Sequence, residues 1–291
     1  MAVEAAVAVR SWDHSVVPVM DLWRAERFYT ELLDGVMFQK IGMTFEWASG
    51  ARGTGNLGTF VKLGRNHLGL FLQSQTAVQP PPSPERGWPC WGLGVAADDF
   101  AALVARLRAA GVAVAAAQAT QYGDGRPVAR CLDSEGNCLE LIADPGGRHD
   151  GLQVTGLTHL HLEALDLAAT AAFYSRYLGL AVTDEGPDSL ILGVPGGQRL
   201  IFHRVAALSP ATVGPYRGRH FAFHVTHEAF GAIVERLQAD GIPEGDIALA
   251  RGSDEAETYF YDPDGHWLQI TTENSARATG RSSSHVRYAP A

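Results

Sequence analysis

The stretch "TGLTHLHLEALDLAATAAFYSRYLGL" (155–180) repeats an earlier one, "SWDHSVVPVMDLWRAERFYTELLDG" (11–35). His14 falls on His159, Asp21 on Asp166, Phe28 on Phe173 and Tyr29 on Tyr174, every time at an offset of 145 residues. Four matches at one constant spacing mark an internal duplication, so the two copies must share a fold. Each copy opens with an alternating apolar run, "HSVVPV" or "HLHLEA", which reads as a strand. Asp21 or Asp166 then stands at a helix N-cap, where a carboxylate accepts an unpaired backbone N–H. The helical spacing that follows ends at Gly35 or Gly179. Trp23, Phe28, Tyr29, Phe173 and Tyr174 read as helix packing residues.

A second pair of units follows the same plan. "WGLGVAADDFAALVARLRAAGV" and "FAFHVTHEAFGAIVERLQADGI" each read as strand, helix and glycine stop. Each is followed by a hairpin, "ARCLDSEGNCLELIAD" or "TYFYDPDGHWLQITTE", whose "DSEG" or "DPDG" is a turn sequence. The chain therefore holds four units of strand, helix and further strands. Proline- and glycine-rich joints separate them: "SQTAVQPPPSPERGW", "DPGGRHDGLQVTG" and "AALSPATVGPYRGR". The expected halves are 11–145 and 155–273, and the unpatterned end, 274–291, reads as a flexible tail. The glycines of "GARGTGNLG" lack the strand–turn–helix setting of a phosphate loop and read as a hairpin.

Composition narrows the function. The net charge of −9 opposes a nucleic-acid partner. Cys90, Cys131 and Cys138 are too few and too scattered for a disulfide framework. With no signal-like start and no long apolar run, the expectation is a soluble cytoplasmic protein without a membrane partner.

The pattern His, Asp seven residues on, Phe-Tyr and Leu-Gly appears as His159, Asp166, Phe173-Tyr174 and Leu178-Gly179, and "DPDGHWLQI" closes the chain's last unit. Together these resemble the vicinal oxygen chelate superfamily, which includes glyoxalase I, extradiol dioxygenases and bleomycin-resistance proteins. The resemblance spans about residues 11–273. It implies an α+β fold of four βαβββ modules forming two paired glyoxalase-like domains with curved mixed sheets. A divalent metal often sits between paired modules, held by their first strands and a last strand.

Carried over by position, that ligand set becomes His159, His220 and Gln269, with Gln269 where a carboxylate is usual. The implied metal is Fe(II) or Mn(II), with Zn(II) as an option. Which modules pair is open from the sequence. Modules one and four would give His14, His220 and Gln269; modules two and three would give Cys90, Glu140 and His159. Glu140 also reads as an inward carboxylate paired with an arginine. His161 shares a strand face with His159, and His224 with His220, so both are candidate proton-transfer groups. Tyr259 stands where related dioxygenases place a phenol against substrate, and Tyr261 shares its face. His203 lies near the last strand of module three, and His266 reads as an exposed turn residue.

The resemblance implies a metal-dependent enzyme acting on a small molecule with adjacent oxygens. Extradiol-type ring cleavage of a catechol-like compound is the first reading. A glyoxalase-like isomerase, lyase or hydrolase is the alternative, as is a non-catalytic binding protein. The acid–base histidine expected in "ARGSDEAET" is missing. Chains of this type commonly dimerise, which keeps a homodimer open.

Overall fold

The structure is a computed structural model that describes residues 9–46, 52–72, 89–116, 125–209, 220–243, 248–249 and 256–272. The expected tail, most of two joints and most of the "ARGSDEAET" loop lie outside the described residues.

Four modules are present. Module one holds β1 (Val9–Val19), α1 (Leu22–Arg27) with its π-helical continuation (Phe28–Leu32), β2 (Val36–Glu46), β3 (Arg52–Leu63) and β4 (Asn66–Leu72). Module two holds β5 (Cys90–Ala96), α2 (Ala97–Ala109), β6 (Val114–Ala116), β7 (Val128–Leu132) and β8 (Cys138–Asp144). Module three holds β9 (Val154–Ala164), α3 (Leu167–Leu178), β10 (Ala181–Glu185), β11 (Ser189–Val194) and β12 (Gln198–Arg204). Module four holds β13 (Phe221–Val225), α4 (His227–Ala239), β14 (Ala248–Leu249), β15 (Ala256–Tyr261) and β16 (Trp267–Thr271).

These strands form two eight-stranded mixed sheets. One runs β14-β15-β16-β13-β1-β4-β3-β2, the other β10-β11-β12-β9-β5-β8-β7-β6. Modules one and four therefore share the first sheet, and modules two and three the second. The halves 11–145 and 155–273 are not the paired units: each sheet takes one module from each half. The joints are antiparallel first-strand pairs, β1 with β13 and β5 with β9. A first strand lies parallel to its own module's last strand on one side, which leaves its other edge for a partner module. That central position explains why β1 and β9 are buried on both faces along most of their length, beyond what alternation predicts.

The helix signals read from the sequence act as expected at their starts. Asp21 accepts the Arg24 N–H, and Asp166 accepts the N–H groups of Ala168 and Ala169. Gly179 ends α3 in the left-handed conformation at φ 66°. After module one's helix the left-handed residue is Asp34, at φ 59°, not Gly35. Gly35 is needed for closeness instead, because a Cβ there would stand 2.7 Å from the Tyr29 carbonyl oxygen.

The repeated Phe-Tyr pairs fill the core, and their hydroxyls join the sheets. Tyr29 donates to Asp133 Oδ2 at 2.9 Å, and Tyr174 donates to Asp262 Oδ2 at 3.0 Å. Each bond links a helix of one sheet's module to a turn of the other's. The turn carboxylates are held in place by backbone N–H groups, from Glu135 and Asn137 on Asp133 and from Asp264 and His266 on Asp262. Burial and the facing carboxylate push both phenols well above the ordinary tyrosine value. Trp23 departs from its expected packing role: it is 70% exposed on the outer side of α1. It lines a cavity of about 620 Å³ with Arg24, Phe28, Val112 and Leu132, and none of the candidate ligands lies there.

Candidate metal centre

Strand register places the chemistry. Across the second sheet, Arg130 stands opposite Glu140, Glu140 opposite Gly92, Gly92 opposite His159 and His159 opposite Arg199. Five strands thus contribute one residue each to a single transverse row. His161, two residues beyond His159, projects from the same face.

Glu140, His159 and His161 converge within this row. Glu140 Oε1 lies 3.2 Å from His159 Nε2 and 3.6 Å from His161 Nε2. One donor atom from each residue fits within 4.8 Å of the others, and all three side chains are buried. Donors about 2.0–2.2 Å from a tetrahedral zinc ion sit roughly 3.3 Å apart, so the observed spacing fits a first-row dication. The other ring nitrogens are also engaged. His159 Nδ1 lies 2.9 Å from Thr158 Oγ1, and His161 Nδ1 lies 2.8 Å from His203 Nε2. Such outer contacts fix the tautomer and aim Nε2 at the centre. Gly92 makes the room: a Cβ there would stand 2.1–2.4 Å from atoms of the His159 ring.

The electrostatics suit a cation. Burial would raise the Glu140 carboxyl, but hydrogen bonds to His159 and His161 outweigh it and hold the group well below the usual carboxylate range. Burial lowers His159, and lowers His161 to about 3 and His203 to about 4. At neutral pH the set is one carboxylate and neutral imidazoles, the protonation state that metal binding requires. Arg130 Nε also contacts Glu140 Oε2 at 2.5 Å. The arginine partner expected of Glu140 is thus present on Oε2, while Oε1 faces the two imidazoles. Cys90 and Cys138 share this face, their sulfurs 2.8 Å apart, and burial pushes the Cys90 thiol far up.

The first sheet carries the corresponding row in a different chemistry: Tyr259, Gln269, Ala222, His14 and His67. His14 Nε2 is 3.2 Å from His220 Nε2, and His14 Nδ1 is 2.7 Å from Asp13 Oδ2. Gln269 Nε2 donates to Glu257 Oε2 at 2.7 Å. Tyr259 and Trp267 pack edge-on against His220, each 5.3 Å away between ring centres. His14, His220 and Gln269 are the set expected if modules one and four pair. Their donors are all neutral, which is weaker for a hard dication than a set with a carboxylate.

The expected trio of His159, His220 and Gln269 is therefore divided. His159 is on β9 of the second sheet, while His220 and Gln269 belong to the first, because modules pair across the halves. His161, expected to move protons, lies beside His159 with its Nε2 3.6 Å from Glu140 Oε1. His224 shares a face with His220 at the far end of β13, and its Nε2 lies 3.2 Å from the Thr272 carbonyl oxygen. Tyr259 borders the first sheet's histidines and not Glu140. Tyr261 is 54% exposed and stacks on Trp267. His266 is buried, not exposed: its Nδ1 lies 2.7 Å from Asp262 Oδ2, inside the turn that Tyr174 joins. His203 was placed only loosely by sequence, yet it is the residue that orients His161.

The comparisons agree with this architecture. The family model described as Glyoxalase/Bleomycin resistance protein/Dioxygenase superfamily matches residues 11–141 and again 156–270. The chain belongs to that superfamily. Among solved structures, a candidate dioxygenase from Bacillus subtilis subsp. subtilis str. 168 is 14% identical, with a TM-score of 0.67. That match covers 91% of this chain and 85% of that one. Glyoxalase I from Zea mays is 17% identical, with a TM-score of 0.62, covering 91% of this chain and 93% of that one. At such identities these similarities speak for the fold alone. Among the described residues, no helix is long and apolar enough to cross a membrane.

Proposed function

We propose that this chain is a metal-dependent enzyme acting on a small molecule that chelates through two adjacent oxygens, with Glu140, His159 and His161 as its metal ligands. The observation that carries this reading is the approach of Glu140 Oε1 to both Nε2 atoms, at 3.2 and 3.6 Å. Two imidazoles and a carboxylate leave coordination positions open for substrate, the arrangement of many non-haem Fe(II) sites. Fe(II) or Mn(II) is the favoured ion, and its chemistry when bound would be to stabilise negative charge on substrate oxygens and bring O2 beside them. The reaction that follows is extradiol-type cleavage of a catechol-like ring.

The chain's own groups have defined parts. Thr158 and His203 hold the two imidazoles in their orientation. His203, half-buried and held largely neutral at pH 7, accepts the His161 Nδ1–H at its own Nε2, which fixes the ligand's tautomer and puts the His203 proton on Nδ1, as a donor to a substrate oxygen. Arg130 fixes the Glu140 carboxylate and limits it to one inward oxygen.

One observation favours a second, non-oxidative reading as a glyoxalase-like isomerase or lyase. The paired thiols of Cys90 and Cys138 lie on the same face and would be exposed to any oxidant formed there. Elemental analysis of the purified protein, followed by oxygen uptake with a catechol panel, tests both. Bound Fe or Mn with oxygen consumption supports ring cleavage. Bound metal without oxygen consumption supports the second reading, and purified protein without metal whose cavity survives His161→Ala supports a binding protein.

A further inference from the structure

The duplication compares one helix pair with another. Both pairs are clasped alike: Arg106 of α2 donates to the Leu32 carbonyl oxygen at 2.7 Å, and Arg236 of α4 donates to that of Arg176. The filling between the helices differs. In modules three and four, Tyr177 donates to Asp240 Oδ2 at 2.5 Å and Arg176 pairs with the same carboxylate, so side chains bridge α3 to the end of α4. At the matching positions modules one and two have Leu32, Ala110 and Glu31, which cannot build that bridge. All three line the cavity of about 620 Å³ instead, together with Trp23, where module three has Ala168. We propose that this cavity is a ligand site separate from the metal centre, and that it takes an uncharged, planar aromatic molecule stacked on Trp23.

Size, lining and charge each point to that class. The volume falls within the ~300–1,000 Å³ of small-molecule sites. The apolar wall is Phe28, Leu32, Val112 and Leu132, with the Trp23 indole beside them. Trp23 is 70% exposed, so its ring forgoes most of the gain that burial gives an aromatic side chain, and a ring stacked on it recovers that gain. The charged groups of the wall are balanced within the chain. Arg24 pairs with Glu135, and Arg27 pairs with Glu31. Asp133 accepts from Tyr29, from Asn137 and from backbone N–H groups. No charge is left over for an ionic ligand, and an anion would have to displace Glu135 or Glu31. The walls come from α1 and its continuation on one side, and from the end of α2 and the Asp133 turn on the other. A bound ring would therefore touch the joint that the Tyr29–Asp133 hydrogen bond closes.

The test uses 2-naphthol, uncharged at neutral pH, and its anionic counterpart 2-naphthoate, each titrated calorimetrically into the full chain as purified. Wild type should bind 2-naphthol, and more tightly than 2-naphthoate. Trp23→Ala, at an exposed position, should weaken 2-naphthol at least ~10-fold. The double variant Leu32→Tyr/Ala110→Asp, which copies Tyr177 and Asp240, should weaken it by as much; if that variant does not fold, Trp23→Ala decides alone. No binding of 2-naphthol by wild type overturns the proposal, as does equal or tighter binding of 2-naphthoate. So does 2-naphthol affinity that survives Trp23→Ala, or that falls only in His161→Ala, which would place the probe at the metal centre. Sedimentation of wild type and Trp23→Ala reads the other occupant: a dimer that Trp23→Ala dissociates makes the cavity an interface between copies and overturns the proposal.

Discussion

Glu140 and His159 reach each other, 3.2 Å apart, from two strands that are not neighbours. Between them runs β5, and at the crossing point β5 carries Gly92. A side chain there would occupy the His159 ring, so the ligand pair depends on a missing Cβ.

Gly92→Ala should therefore displace His159 while leaving both sheets folded. We expect metal affinity to fall at least ~10-fold, the scale of a misoriented ligand, with the far-ultraviolet circular dichroism spectrum unchanged. Unaltered affinity would mean that His159 does not ligate.

Glu140→Gln removes the one anionic donor. Metal affinity should drop by more than ~100-fold, since an amide is a poor substitute for a carboxylate on a hard ion. The variant also removes the Glu140–Arg130 ion pair. Arg130 retains partial solvent contact, so the loss of stability should stay below the ~3–5 kcal/mol of a fully buried broken pair. Calorimetric metal titration and a urea denaturation curve read the two effects independently.

Tyr174→Phe removes the hydroxyl that bonds Asp262 across the two sheets. The cost should be roughly 1–3 kcal/mol, the price of under-satisfying a buried carboxylate. His266 and two backbone N–H groups still hold Asp262, which favours the lower end. Urea unfolding measures it, and Tyr29→Phe should behave alike through Asp133.

Acid should destabilise the metal-free chain. Burial lowers His67 to about 4, His161 to about 3 and His203 to about 4, against about 6.5 in an unfolded chain. Within that window the unfolded state binds more protons than the folded one. Stability is then fully present above about pH 6.5 and is lost as pH falls toward 3–4. His266 acts in the opposite sense: burial lowers it, but the Asp262 charge and hydrogen bond bring a net rise. Its contribution is present below about pH 6.5 and lost as pH rises through the folded value. His159 is lowered too, so four groups against one should make the urea midpoint fall between about pH 6.5 and 4, and His67→Phe should make that slope shallower. A flat midpoint would contradict the account.

The duplication was legible because His14 and His159, with three further pairs, keep one spacing. The N-caps were legible because Asp21 and Asp166 do local work that needs no tertiary partner. Module pairing was not, because each first strand has a spare edge and nothing within the strand names its partner. The partner is specified by distant contacts across the first-strand joints, such as the Val16 N–H with the His220 carbonyl oxygen. His161 was noticed as a residue sharing a face with His159, but its approach to Glu140 was not legible, since the first copy has Val16 at that position. Gly92 left a usable signal: a glycine within a strand marks a close approach of something else.

The most direct test is anomalous diffraction from crystals of the full chain soaked in Mn(II). The account predicts one strong peak bounded by Glu140 Oε1, His159 Nε2 and His161 Nε2. A peak only between His14 and His220, or none at either sheet, would contradict it.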